Sequence, residues 1–164
     1  MYKICVLGSG PEWFSDHDKV RRLIGKTINL LGFQYQDVVF HVRGELGVGL
    51  WAAQACLEEG LKYHLFMPFG PGDTAKYWYD DQEKDLLEQY NNAYSLTICN
   101  PLGEKHDNLY TRPIDDANFV VCFWSGERSG ETEESIRYAL NSSKIVLDGL
   151  NDLKLITNGD LRKK

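Results

Sequence analysis

Positive charge is scarce in this chain: 18 Lys and Arg stand against 24 Asp and Glu, a formal charge of −6. Non-specific nucleic-acid binding needs a basic surface that neutralises phosphates, so no nucleic-acid partner is expected. Long apolar runs are missing too. None approaches the length that spans a bilayer, and the first residues carry no signal-peptide pattern, so a cytoplasmic protein with no membrane partner is expected. Cysteine is sparse, with Cys5, Cys56, Cys99 and Cys122 lacking metal-like spacing, and the four histidines are scattered without a ligand pair. No metal and no cofactor is expected, and the cysteines read as small buried hydrophobes in a reducing compartment. The motifs most diagnostic of nucleotide chemistry are also absent. There is no G-x-G-x-x-G fingerprint and no Gly-Lys-Ser/Thr of a P-loop.

What is present is enough for a real core. A 164-residue chain that is 43% hydrophobic, with nine Tyr, seven Phe and four Trp, fits one compact domain over residues 1–164. The Arg-Lys-Lys end reads as a solvated tail, expected to be flexible from about residue 158. Tyr2 to Leu7 is a predicted strand, broken by Gly8-Ser9-Gly10-Pro11. Val20, Leu23, Ile24, Thr27, Ile28 and Leu31 repeat at helical spacing after a Ser15/Asp18 start, with Gly32 as the expected stop. Strands follow at Val38–Val42, Tyr63–Met67, Ser95–Cys99, Phe119–Phe123 and Ile145–Leu147. Helices fall at Leu50–Glu59, Trp78–Tyr90 and Glu131–Asn141, and Gly70-Pro71-Gly72 reads as a turn. Gly103–Arg112 is a polar loop or short helix. This alternation predicts an α/β, Rossmann-like, doubly wound and mainly parallel sheet covered by helices on both faces.

Ligands of such sheets bind beyond the carboxyl ends of the strands. The informative loops are then Gly8–Phe14, Arg43–Gly49, Pro68–Asp73 and Trp124–Gly130. Arg43-Gly44-Glu45-Leu46-Gly47-Val48-Gly49 carries three glycines in six residues between a strand and a helix. Such a turn brings main-chain N–H groups and the positive end of a helix dipole to one place, a setting for an anionic or polar small molecule. The second turn, Trp124-Ser125-Gly126-Glu127-Arg128-Ser129-Gly130, has the same context. Its glycines serve either ligand binding or turn geometry alone.

Gly8, Ser9, Arg43, Gly44, Glu45, Gly47, Val48, Trp51, Pro68, Trp124, Gly126, Arg128, Ser129 and Gly130 form the expected ligand-binding set. Arg43 and Arg128 are candidates to fork a phosphate, ahead of Arg112, and each is equally a surface partner for the abundant carboxylates. Trp13, Phe14, Trp51 and Trp124 flank the loops, where an indole would stack a base, although Trp51 also fits a core position. Glu131, Glu133 and Glu134 crowd the first turn of the last long helix. They complement its dipole, at about 0.3–1 kcal/mol each. Glu134 is the candidate catalytic or ribose-binding acid, since a carboxylate favours a cation-like sugar transition state.

The Gly44–Ala53 stretch, Met67-Pro68-Phe69 and the Asp115–Gly130 segment resemble the YpsA-like branch of the SLOG superfamily, which also holds DprA-like and LOG-like Rossmannoid domains. The resemblance runs from Tyr2 to about Leu147. It implies a Rossmann-like nucleotide-binding fold with both glycine turns lining the ligand site. Phe123-Trp124 with Gly126 and Gly130 is similar to the second SLOG motif. On the Pro-Gly-Gly-x-Gly-Thr-x-x-Glu pattern of LOG N-glycoside hydrolases, the last glycine falls on Gly130 and the glutamate on Glu134. The Pro-Gly-Gly and Thr are absent, and Gly49 stands where YpsA-like chains usually carry glutamate. The resemblance implies sensing of a nucleotide or ADP-ribose-like small molecule. The alternatives are hydrolysis of a nucleoside monophosphate, with Glu134 steadying the oxocarbenium charge, and a protein-interaction module without ligand. A homodimer is left open by Tyr77-Trp78-Tyr79, which is either a contact patch or a cap on the core.

Overall fold

The computed structural model describes residues 1–100, 108–128 and 130–162. Strand β1 (Tyr2–Gly8) alternates its apolar residues between two faces, and both are covered. Ile4 and Val6 join one core cluster, Cys5 and Leu7 another. A strand buried on both faces reads as a continuous apolar run, which is how the sequence shows it. Helix α1 (His17–Gln34) begins at Asp16, whose carboxylate accepts from the Lys19 amide at 3.1 Å. It runs through Gly32, the expected stop. A Cβ there would stand 2.6 Å from the Leu61 side chain, so the glycine serves close packing and the helix ends two residues later.

Strand β2 (Val38–Arg43), helix α2 (Val48–Glu59) and strand β3 (Lys62–Met67) follow. Gly60 closes α2 in the left-handed conformation at φ 65°. Gly70-Pro71-Gly72 opens a one-turn helix, α3 (Pro71–Thr74), where only a turn is predicted. Helix α4 (Asp80–Asn92) leads to strand β4 (Ser95–Ile98), then come α5 (Arg112–Asp115), β5 (Phe119–Phe123) and α6 (Glu131–Asn141). The first half of the predicted loop Gly103–Arg112, residues 103–107, lies outside the described residues. Strand β6 (Val146–Asp148) pairs antiparallel with β7 (Lys154–Leu155), and α7 (Asn158–Arg162) ends the described chain. Residues 158–162, expected as a loose tail, form this short helix because Leu161 buries into the second cluster.

The sheet order is β4-β3-β2-β1-β5-β6-β7, parallel except for β7. The fold is the α/β, Rossmann-like, mainly parallel architecture. Helices α1, α2 and α4 cover one face, and α5, α6 and α7 pack against the other. The strand order runs outward from β1 to β4, then restarts at β5 on the other side of β1. That reversal is a topological switch point, and the loops there diverge to leave a crevice. All four cysteines are buried thiols. Tyr77-Trp78-Tyr79 divides, with Trp78 against the core and Tyr77 and Tyr79 exposed. Among the described residues no helix is long and apolar enough to cross a membrane.

Candidate functional site

A cleft of about 340 Å³ opens at the switch point, where Gly8 at the end of β1 pairs with Phe123 at the end of β5. Gly8, Gly10 and Trp13 border it from the first loop, Arg43, Glu45 and Leu46 from the second, and Glu127, Gly130, Glu131 and Thr132 from the third. Both glycine turns therefore reach one cavity.

The first turn is shaped by steric necessity. Gly47 sits at φ 89°, a region L side chains rarely adopt, and caps α2. A Cβ on Gly49 would meet the Arg43 carbonyl oxygen at 2.2 Å, so this backbone leaves no room for the glutamate of YpsA-like chains. With the turn wound this tightly, the amides of Leu46, Gly47, Val48 and Gly49 donate to no acceptor among the described residues. Gly8 is needed for a related reason: its Cβ would stand 2.3 Å from a methyl of fully buried Val48.

Arg43, at the end of β2, is 3% exposed. One terminal nitrogen donates to the Tyr110 carbonyl (2.8 Å) and to Ser135 Oγ (3.0 Å), and the guanidinium lies 5.1 Å from the Tyr110 ring centroid. Its Nε has no acceptor among the described residues. Burial pushes the Glu45 carboxyl above the ordinary carboxylate range, Arg43 opposes the shift and Glu131 adds to it. The Tyr110 hydroxyl donates to Glu131 (3.1 Å), and burial beside that carboxylate pushes it up to about 12.

The third loop is held by side chains. The buried Ser9 hydroxyl donates to Glu127 Oε2 (2.8 Å) and accepts from the Ser125 amide (3.1 Å). The Ser125 hydroxyl donates to the same Glu127 oxygen at 2.5 Å, and the Trp124 indole donates to the Glu127 carbonyl at 2.9 Å. Thr132 ties α6 to β1 by donating to the Gly8 carbonyl at 3.0 Å.

Of the expected set, Gly8, Arg43, Glu45 and Gly130 border the cleft, and Ser9 braces it from beneath. Gly44 and Val48 are scaffold, packed on Met67 and Gly8. Gly47 and Trp51 border the neighbouring groove, with the indole ring 5.3 Å from His17. Pro68, beyond β3, borders neither cavity. Trp124 turns into the second core cluster and Gly126 stands exposed. Arg128, expected at a phosphate, pairs instead with Glu133 (3.4 Å) and donates to the Leu161 carbonyl, which pins α7. Arg112 pairs with Asp116 at 3.9 Å. Ser129 lies outside the described residues. Glu134 is exposed and borders an adjoining pocket of about 370 Å³ with Tyr110, Ser135 and Tyr138. Glu134 does not border the cleft, whereas Glu131, three residues earlier on α6, borders both cavities. Sequence reasoning missed Glu127 and Thr132, although each sits beside a noted glycine. It also missed Tyr110 and Ser135, which no local pattern marks.

No model of a protein family matches this chain, and no curated protein sequence does. Solved structures do match. DNA processing protein A (DprA) from Streptococcus pneumoniae superposes with a TM-score of 0.61 at 15% identity over 90% of this chain, which spans 50% of that protein. The Moco carrier protein of Chlamydomonas rheinhardtii gives 0.55 at 20% over 90% of this chain and 74% of its own. TM1055, a structural-genomics target, gives 0.57 at 19% over 98% of this chain and 89% of its own. At such identities the likeness is one of fold alone. That fold is Rossmann-like.

Proposed function

We propose that the switch-point cleft binds a nucleotide or nucleotide-sugar of ADP-ribose type, and that the protein senses this ligand in the manner of YpsA-like SLOG domains. The observation that carries the reading is a set of hydrogen-bond donors without acceptors. Arg43, whose buried Nε has no partner among the described residues, borders the cleft, and so does Leu46, whose amide is likewise unpaired there at the entry to α2. Leaving such a buried donor unmet costs about 1–3 kcal/mol, which an incoming phosphate or hydroxyl oxygen recovers. Glu12, Glu45, Glu127 and Glu131 border the same cleft against that one guanidinium. The balance favours hydroxyl-rich sugars and few phosphates over a triphosphate.

A second reading, N-glycoside hydrolysis of a nucleoside monophosphate, is favoured by Glu45. A carboxyl held above its ordinary range can keep a proton for a departing base, as a general acid does. The Glu134 version of that reading is weaker, because its carboxylate borders the adjoining pocket.

Thermal-shift titration with ADP-ribose, NAD and nucleoside monophosphates tests the binding. Ligand at about 100 times its Kd stabilises the fold by roughly 2.7 kcal/mol. No shift with any of them rejects the nucleotide reading and leaves an interaction module. Incubation with nucleoside monophosphates, with free base followed by chromatography, separates the sensor from the hydrolase: released base that Glu45→Gln abolishes would establish turnover.

A further inference from the structure

Two buried side-chain atoms lack a partner among the described residues, Arg43 Nε and Gln89 Oε1, and they belong to adjoining cavities. The second is a groove of about 500 Å³ between α2 and α4 that meets the cleft along Pro11 and Leu46, which border both. Gln89 is 1% exposed on its wall. Its Nε2 donates to the Leu50 carbonyl at 3.0 Å, and its main-chain carbonyl accepts the Tyr63 hydroxyl at 2.5 Å. The first bond orients the side-chain amide and leaves Oε1 as its unpaired acceptor. Around it stand Glu58, Asp81, Asp85 and Glu88, with Arg21 and His17 as the basic side chains. Trp51 is the aromatic face of the groove.

The buried side-chain atoms left unpaired at the two cavities have opposite polarity: Arg43 Nε at the cleft is a donor, and Gln89 Oε1 at the groove is an acceptor. A nucleotide has this polarity, with its sugar-phosphate rich in acceptors and some bases carrying an amino group. We propose that the α2–α4 groove is the nucleobase compartment of the site and that it selects bases bearing an exocyclic amine. The amine donates to Gln89 Oε1, and the ring lies against Trp51. A keto base can offer its ring N–H to Oε1 only by bringing the flanking carbonyl toward that same acceptor and the carboxylates lining the groove. The inference rests on the cleft reading for the position of the sugar-phosphate but predicts a preference of its own.

The test changes the ligand, so every probe meets the same folded protein. Calorimetry with AMP against IMP, and CMP against UMP, should show the amino member binding about tenfold tighter or more in each pair. Equal affinities overturn the inference. Ribose 5-phosphate and adenine, titrated separately, report the cleft and the groove one at a time. Binding of ribose 5-phosphate with no amino preference leaves the cleft reading standing and ends this one. Binding of adenine without ribose 5-phosphate does the reverse, and failure of both probes and of AMP ends both. Gln89→Met should bring the AMP/IMP ratio to near one, while Gln89→Glu keeps the acceptor and much of the preference, with thermal melts confirming that each variant is folded. Displacement of AMP by equimolar spermidine would make the groove an organic-cation site and overturn base selection.

Discussion

Two turns carry the chain from a buried strand into a helix beside the cleft, and steric fit holds one where hydrogen bonds hold the other. Between Gly44 and Gly49 the backbone is packed so closely that an added methyl at Gly44 or Gly49 strikes Met67 or the Arg43 carbonyl. Between Trp124 and Gly130 there is open space around Gly126, and the shape comes from Ser9, Ser125 and Glu127. The difference matters for function. A turn made by backbone contact leaves its amides free for a ligand, whereas a turn made by side chains uses its polar groups on itself. Under the proposed function, the first turn offers its amides to the ligand and the second braces the cleft that both turns border.

Substitutions rank the two turns. Gly49→Ala should cost most, at or above the upper end of the roughly 1–3 kcal/mol typical of overpacked sites, because the obstacle is backbone that cannot rotate away. A Tm close to that of the unmodified protein would show that the first turn is looser than its contacts indicate. Ser9→Ala should cost about 1–3 kcal/mol in denaturant unfolding, since it leaves the Ser125 amide unmet and removes one of the two hydroxyls that donate to Glu127. Gly126→Ala should cost about 1 kcal/mol. Its φ of 95° strains any side chain, but the methyl meets nothing. If chemical denaturation finds Gly126→Ala as damaging as Gly49→Ala, the contrast between the turns fails.

A titration that touches neither turn provides the baseline. His64 lies between Ser95 and Thr97, and burial, with His41 and Arg112 nearby, lowers its pKa to about 4. The unfolded chain takes up a proton near 6.5 that the fold refuses. The contribution of His64 is therefore complete above that value and is lost as pH falls from 6.5 toward 4. His64→Gln should flatten this acid slope in melts recorded across that range, and an unchanged slope would assign it to other groups. The smallest effect is expected at Glu134→Gln, within about 0.5 kcal/mol in stability and with unaltered nucleotide binding. A large loss of affinity there would return Glu134 to the site.

Much of the frame was legible in the residues. The short continuous apolar runs of Tyr2–Gly8 and Phe119–Phe123, bounded by turn residues, and the helical spacing in Glu131–Asn141 needed no tertiary information, because strands buried on both faces are apolar throughout and a half-buried helix repeats every three to four residues. Strand β7 and helix α7 escaped notice. At two and five residues they are too short for periodicity, and pairing with β6 and burial of Leu161 create them. Gly8, Arg43, Glu45 and Gly130, which border the cleft, were legible because strand-to-helix junctions mark them. The pairing of Arg128 was not, because its partners, Glu133 and the Leu161 carbonyl, come together only when α7 docks.

The sequence by itself determined the order of strands and helices and hence the edge of the sheet where a ligand would meet the protein. Hydrophobic periodicity and glycine punctuation are local properties and need no partner to be read. Tertiary structure alone decided which polar groups remain unpaired. Whether Arg43 Nε and Gln89 Oε1 find a partner depends on atoms contributed by distant segments, among them Tyr110, Ser135 and Leu50. Hydrogen-bond satisfaction is set by distance and angle in the assembled fold, and no spacing along the chain encodes it.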